Sequence, residues 1–230
     1  MAIVYDTVSS GSNTGSATLT FSHTCDAGAD FLVVCVTHRR GADDVSGVTY
    51  NGTAMTRGLH SVVNTGSYLY YLVAPTAGSA EDVVITVNAG TDRALLGTSM
   101  SFTGVKQVDP KGATASAEEG LTSKSTLDTV ITTTEANSVI VQSWTQTNGS
   151  DATLTPNNIT ETDEAHQAGA ALGANHAAGY KITTAVTDYT TGWSSSLTGQ
   201  MESVTVEFFT AGGGAVSAAT TPTLLTMGVG

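Results

Sequence analysis

The sequence predicts an all-β protein, an antiparallel β-sandwich of jelly-roll-like type built from two related halves, with a flexible C-terminal arm. Three observations favour this class. Two short Val-rich runs, residues 30–37 and 137–144, are almost continuously apolar, as expected of strands that are buried on both faces. Shorter runs that alternate polar and apolar residues surround both of them. No segment sustains an apolar period of 3.6 residues between helix caps, so no long helix is expected.

The strands can be followed along the chain. In the first half we expect strands at 3–8, 17–22, 30–37, 48–56, 68–73, 82–87 and 94–102. Within 48–56, Asn51-Gly52 predicts a type I′ hairpin, because both residues tolerate a positive φ. In the second half we expect strands at 129–134, 137–144, 153–162, 179–182, 189–193 and 203–209, with room for a short helical turn in 165–178.

A shift of 107 positions relates the two halves. It brings Phe102 onto Phe209 and Asn51 onto Asn158, and it superimposes both Val-rich runs without a gap. The alternative is an ordinary β protein with regularly spaced strands. We predict one sandwich over residues 1–210, with halves of about 1–104 and 126–210 and a crossover at 105–125. Two small tandem sandwiches are the other possibility.

Composition limits the function. The chain has 230 residues and a net charge of −12 with only eight basic residues, which disfavours polyanionic partners such as nucleic acid. The N-terminus lacks a basic and apolar leader, and no run approaches the roughly 20 apolar residues of a membrane span. We therefore expect a protein that is made in the cytoplasm of its host, is not exported by the usual route and does not bind a membrane.

The residues that carry chemistry form no recognisable constellation. The sequence has no G-x-S-x-G elbow and no H-E-x-x-H motif. Its histidines lack metal-ligand spacing and read as surface or loop residues. Cys25 and Cys35 read as free thiols, with Cys35 in the core. No D-x-[DN]-x-[DN]-G loop is present to bind Ca²⁺. We expect no enzyme activity, no metal and no cofactor.

The C-terminal segment, residues 211–230, differs from the rest of the chain. It has no charged residue, begins with Ala-Gly-Gly-Gly and ends in an apolar stretch. We interpret it as an extended arm that orders on a neighbouring subunit, with plain disorder as the alternative. The residues predicted to make the assembly contact are Pro222, Leu224, Leu225 and Met227.

Several segments resemble β-sandwich proteins of tailed bacteriophages and prophages. They are Ala29-Asp-Phe-Leu-Val-Val34, Val48-Thr-Tyr-Asn-Gly-Thr-Ala-Met-Thr56, Tyr70-Tyr-Leu-Val-Ala-Pro75 and Ser99-Met-Ser-Phe-Thr-Gly-Val105. The resemblance covers most of residues 17–209. It implies a virion component, such as a capsid decoration protein or a tail or fibre part, released by lysis. The implied partners are a capsid or tail protein and further copies of this chain. The resemblance transfers no catalytic residue.

Two other functions stay open on sequence grounds. A carbohydrate-binding or adhesin domain would use Tyr68, Tyr70, Tyr71 and Trp193 as stacking faces, although the same residues also fit a core. A hydrolase on a jelly-roll scaffold would need a catalytic constellation that the sequence does not display.

Overall fold

The computed structural model describes residues 1–89, 93–148, 150–167 and 173–212, and it confirms the all-β prediction. The described residues form fifteen strands and no helix. The strands up to residue 103 are β1 (Val4–Asn13), β2 (Thr18–Thr24), β3 (Phe31–His38), β4 (Val45–Tyr50), β5 (Thr53–Ala54), β6 (Thr56–Ser61), β7 (Gly66–Val73), β8 (Ala80–Val87) and β9 (Leu95–Thr103). The later strands are β10 (Lys111–Thr132), β11 (Val139–Thr147), β12 (Leu154–Asn157), β13 (Thr160–Gln167), β14 (Ala174–Ile182) and β15 (Asp188–Phe208).

The first half contains two antiparallel sheets packed face to face. The inner sheet has the order β1-β9-β3-β7-β6, and the outer sheet has the order β2-β8-β4-β5. The apolar core between them includes Leu32 and Val34 from β3 together with Val83 and Ile85 from β8. Because β3 also turns Phe31, Val33 and Cys35 toward the opposite side, all eight of its residues are buried. This explains its continuously apolar sequence.

The hairpin predicted at Asn51-Gly52 is confirmed. Thr49 pairs with Ala54 and Tyr50 pairs with Thr53, which leaves a two-residue turn. Asn51 has a φ of 47° and Gly52 a φ of 72°, as a type I′ turn requires.

The second half folds around two long strands, β10 and β15. Its sheet has the order β10-β15-β11-β14-β13, and β12 pairs with the first part of β15. Irregular pairing near Glu119 and Lys124 interrupts the β10–β15 ladder. The part of β10 after this interruption and the part of β15 before it cover the outer face of β11. Trp193 of β15 lies 6.4 Å from Trp144, ring centre to ring centre, and Gln142 donates a hydrogen bond to Thr129 at 3.1 Å.

The two halves share their strand order and a register. In each five-strand order, the first strand of the half lies beside the last strand of the half, and the strand with the Val-rich run comes next. Two later strands of the half complete the order. Leu32 lies opposite Ser101, and Val139 and Phe208, each 107 positions further on, lie opposite one another. This likeness of strand order and register supports the prediction of two related halves.

The halves pack through these two sheets, and β3 faces β11. The sulfhydryl of Cys35 lies 3.7 Å from the carbonyl oxygen of Gln142, its counterpart 107 positions later. Apolar side chains from both sheets fill the space around this contact, and Phe31 meets Phe208 with ring centres 4.7 Å apart. The molecule is therefore a stack of β layers in which each half also has a core of its own. The division into one sandwich over residues 1–210 stays a prediction, and so does the jelly-roll connectivity.

The predicted crossover at 105–125 differs from the structure. Most of it belongs to β10, which begins at Lys111 and pairs with β15. The stretch from Ala113 to Ala117 contains only Ala, Thr and Ser, because β10 is an edge strand and needs few large apolar side chains. The short helical turn predicted within 165–178 is also wrong where the structure describes it, since residues 174–178 lie in β14.

Candidate functional site

Three of the four aromatic residues predicted as stacking faces lie inside the protein. Tyr68 and Trp193 are fully buried, and Tyr70 is 2% exposed. The Tyr70 hydroxyl contacts Arg57 Nε at 2.9 Å, and Trp193 Nε1 donates a hydrogen bond to Glu161 Oε2 at 2.7 Å. These three residues are therefore core residues, as the alternative interpretation expected, and they offer no exposed ring on which a sugar could stack.

Tyr71, the fourth, is half-buried at the edge of the contact between the halves. Its ring centre lies 5.8 Å from that of Phe31 and 5.3 Å from that of Phe208. It therefore belongs to the core that joins the two inner sheets. The four residues share no common exposed face.

His176 of β14 joins the two halves, contrary to the prediction of a surface histidine. It is fully buried. Its Nδ1 lies 2.8 Å from Thr37 Oγ1 and its Nε2 lies 3.1 Å from Thr98 Oγ1. Thr98 in turn donates to Asp163 Oδ2 at 2.5 Å. Burial lowers the pKa of His176 to about 4, against the opposing effect of Asp163. The imidazole is thus neutral at pH 7 and serves as a packed hydrogen-bonding group.

His23 of β2 has a similar role within the first half. Its Nδ1 lies 2.9 Å from Ser99 Oγ, and its Nε2 lies 3.2 Å from Ser101 Oγ. Ser101 donates to Asp6 Oδ2 at 2.6 Å. Burial lowers the pKa of His23 to about 4. The carboxylate contacts the serine and not the imidazole, so this group lacks the arrangement of a Ser-His-Asp triad.

The buried carboxylates hold backbone in place. Burial pushes the pKa of Glu207 upward, but hydrogen bonds from groups that include the Ala113 N–H and the Ser138 hydroxyl outweigh it and lower the pKa. Glu202 accepts hydrogen bonds from the Asn64 and Thr65 N–H groups, and burial raises its pKa. Each anion thereby ties its own strand to a loop.

Both cysteines are buried free thiols, and the prediction that Cys35 lies in the core is confirmed. Burial raises the pKa of Cys35 far above its usual range, which suppresses the thiolate that nucleophilic chemistry requires. Within the described ranges, no group of three or more His, Cys, Asp or Glu side chains is placed to hold a metal ion.

An open pocket lies where the described part of the chain ends. It has a volume of about 350 Å³ and is lined by residues 1–3, Asn137, the stretch 182–184, Thr210 and Gly212. This volume falls in the range of about 300–1,000 Å³ that is typical of ligand pockets. Two exposed apolar side chains line it, Met1 at 85% and Ile182 at 39% exposure.

Two residues at the end of the second half differ from their sequence counterparts in the first half. Val105 follows β9 and is fully buried in the core between the halves. The residue 107 positions later is Gly212, which lines the pocket and has no side chain. Beside Val105, Gln107 Oε1 accepts a hydrogen bond from the Ala74 N–H at 3.1 Å. Its counterpart in the sequence is Gly214. The first half therefore has side chains at these two sequence positions, and the second half has glycine at both.

The sequence did not predict this pocket, because folding brings its lining residues together from distant parts of the chain. The predicted assembly residues Pro222, Leu224, Leu225 and Met227 lie outside the described residues, but the chain that leads to them begins at the pocket wall.

Comparison of the chain with models of known protein families, with curated proteins and with solved structures finds no match. In the part of the chain that the structure describes, no helix has the length and apolarity needed to cross a membrane.

Proposed function

We propose that this chain is a non-enzymatic structural protein of a tailed-phage virion. It binds the outside of the capsid or tail as a decoration or cement-type component, and it acts in many copies. The observation that carries the proposal is the apolar pocket beside Gly212, from which the uncharged C-terminal segment continues. A protein surface that pairs an apolar recess with an uncharged segment favours binding to other protein chains.

The interior supports the same function. Hydrogen bonds between strands or layers engage the buried ionisable groups of His23, His176, Cys35 and Glu207. Each of them contributes to holding a layered scaffold in one geometry. A rigid body presented in many copies gains overall affinity from the number of simultaneous contacts, even where each contact is weak.

The resemblance to phage β-sandwich proteins supplies the class of particle. Its segments fall in β3, in the β4–β5 hairpin, in β7 and in β9. Three of these elements form the centre of the inner sheet, so the resemblance concerns the scaffold that positions the binding surfaces.

The test is to purify particles from a lysate of the host that carries the gene and to quantify this protein by mass spectrometry. We expect a fixed copy number relative to the major capsid or tail protein, kept through a density gradient. A protein that remains in the soluble fraction while particles form normally would overturn the proposal.

A matched variant tests the contribution of the C-terminal segment. Deletion of residues 211–230 removes none of the described strands, so we expect a folded protein with reduced occupancy on particles. Full occupancy of the truncated protein would contradict the assignment of the segment to assembly.

A further inference from the structure

We propose that the pocket beside Gly212 receives the apolar end of the C-terminal segment, residues 224–227, from a second copy of this chain. The inference rests on the proposed function and names the receiving surface for the assembly segment. It makes the contact heterologous, because the surface that donates differs from the surface that receives.

Two residues that line the pocket, Asn137 and Gly212, have counterparts in the first half. There, Val105 is buried in the core, and Asp30 holds the adjoining backbone through the N–H groups of Gly104 and Val105 at 2.8 and 3.2 Å. In the second half the counterpart of Asp30 is Asn137, and that of Val105 is Gly212. Both line the pocket. The pocket is thus bordered by an uncharged amide and a glycine, where the first half has a carboxylate and a buried valine.

The sequence that immediately follows the pocket residue Gly212 offers few side chains. Residues 212–214 are three consecutive glycines, which contribute no side chain to an apolar space. A Cβ added at Gly212 would lie 2.8 Å from the Met1 nitrogen, so the backbone already fits closely against residue 1. Larger apolar side chains stand further along the segment.

The end of the same segment has matching chemistry. Residues 211–230 carry no charge, and Leu224, Leu225 and Met227 follow Pro222. Burying a Leu or Met side chain is favourable, and the exposed Met1 and Ile182 side chains offer the apolar contacts.

The segment is long enough to reach another molecule. Leu224 is twelve residues beyond Gly212, and an extended chain spans about 3.3–3.6 Å per residue, or roughly 40 Å. A contact between copies links each molecule to the next, as a many-copy assembly requires. Closure onto the pocket of the same chain would link nothing.

Cysteine pairing in the full chain tests this contact. Thr184 lines the pocket and is exposed. Thr184→Cys and Leu225→Cys chains with different tags are mixed and mildly oxidised, and the disulfide-linked hetero-dimer is quantified. Thr20→Cys, at an exposed position on β2 of the outer sheet, replaces Thr184→Cys in the control. The unaltered chain, with its buried Cys25 and Cys35, gives the background.

We expect on the order of tenfold more hetero-dimer from the Thr184→Cys mixture than from the Thr20→Cys mixture, because docking raises the local concentration of the two thiols. Equal yields would overturn the proposal. A Thr184→Cys/Leu225→Cys chain that forms only the intramolecular disulfide would also overturn it, in favour of closure within one molecule.

Failure of the cross-linking test and failure of the proposed function give different results. If the cross-link is absent but deletion of residues 211–230 still lowers particle occupancy, the segment binds another surface, and only this inference fails. If the protein does not join particles at all, the proposed function fails, whatever the cross-linking result.

Discussion

The indole of Trp193 is enclosed by the core of the second half, with its ring centre 6.4 Å from that of Trp144 and its N–H bonded to Glu161. A ring in this setting contributes through burial and one satisfied hydrogen bond. Tyr189, four residues earlier on the same strand, is half-buried, and its ring centre lies 5.9 Å from Lys181 Nζ. The two positions form a matched pair for testing what the buried aromatic residues do.

Trp193→Ala should lower the free energy of unfolding by about 3–5 kcal/mol, the usual cost of removing a large buried aromatic side chain. Urea denaturation measures this, and Tyr189→Ala should cost much less. A Trp193→Ala protein that is as stable as the unaltered chain, yet loses binding on a glycan array, would restore the carbohydrate-binding hypothesis.

His176 predicts how stability depends on pH. An unfolded histidine has a pKa near 6.5, whereas burial lowers the pKa of His176 to about 4 in the folded protein. Between these values the unfolded chain binds a proton that the folded chain does not. The free energy of unfolding should therefore fall as the pH drops from 7 toward 4, and His23 adds in the same direction.

Urea denaturation at pH 7 and pH 5 tests this dependence. We expect His176→Asn to lose less stability between the two pH values than the unaltered chain does. Thr20→Asn, which replaces an exposed side chain that does not titrate, should lose as much as the unaltered chain. An unchanged loss in His176→Asn would contradict the assignment of a buried neutral imidazole.

Sequence reasoning reached these residues only in part. Tyr68-Leu-Tyr-Tyr71 is typical of a strand, but the sequence does not show that both faces of this strand are covered. That burial depends on a second sheet and on the other half of the chain. The burial of His176 was hidden for the same reason, because its partners Thr37 and Thr98 lie on strands of the first half.

Among the elements, the β4–β5 hairpin shows the most direct link between sequence and structure. Asn and Gly are the residues that tolerate positive φ most readily, and both turn positions here have it. β10 shows the opposite case. It is 22 residues long, yet an edge strand with one exposed face needs little apolar sequence, so the sequence predicted only its last residues, 129–132.

Gly52→Ala should destabilise the protein by about 1–2 kcal/mol, because an alanine is strained at positive φ. A Cβ at Gly52 would meet nothing within 4 Å, so backbone strain alone sets the cost. Gly47→Ala on β4 is the control, since a Cβ there also meets nothing and the φ is not in the left-handed range. Thermal denaturation that shows equal effects at both glycines would contradict the type I′ assignment.

At the scale of the whole molecule, the core between β3 and β11 joins the halves. Phe208 contacts both Phe31 and Tyr71, and apolar residues of both inner sheets surround them. The shift of 107 positions was visible in the sequence. That the two halves pack through the inner sheets was not, because each Val-rich run is equally compatible with a buried strand in an isolated sandwich.

We expect the two halves to unfold in one cooperative transition. In calorimetry, Phe208→Ala should lower the midpoint of that transition as a whole, and the exposed Val130→Ala should leave it nearly unchanged. Two separate transitions, of which Phe208→Ala shifts only one, would show that the halves are energetically independent.

We propose above that this layered β scaffold is a structural component of a virion. Electron cryomicroscopy of purified virions tests it most directly. We expect density for the stacked sheets on the outside of the capsid or tail, repeated by the symmetry of the particle. The pocket beside Gly212 should face a neighbouring copy. Particles whose complete outer density is explained by other chains would contradict it.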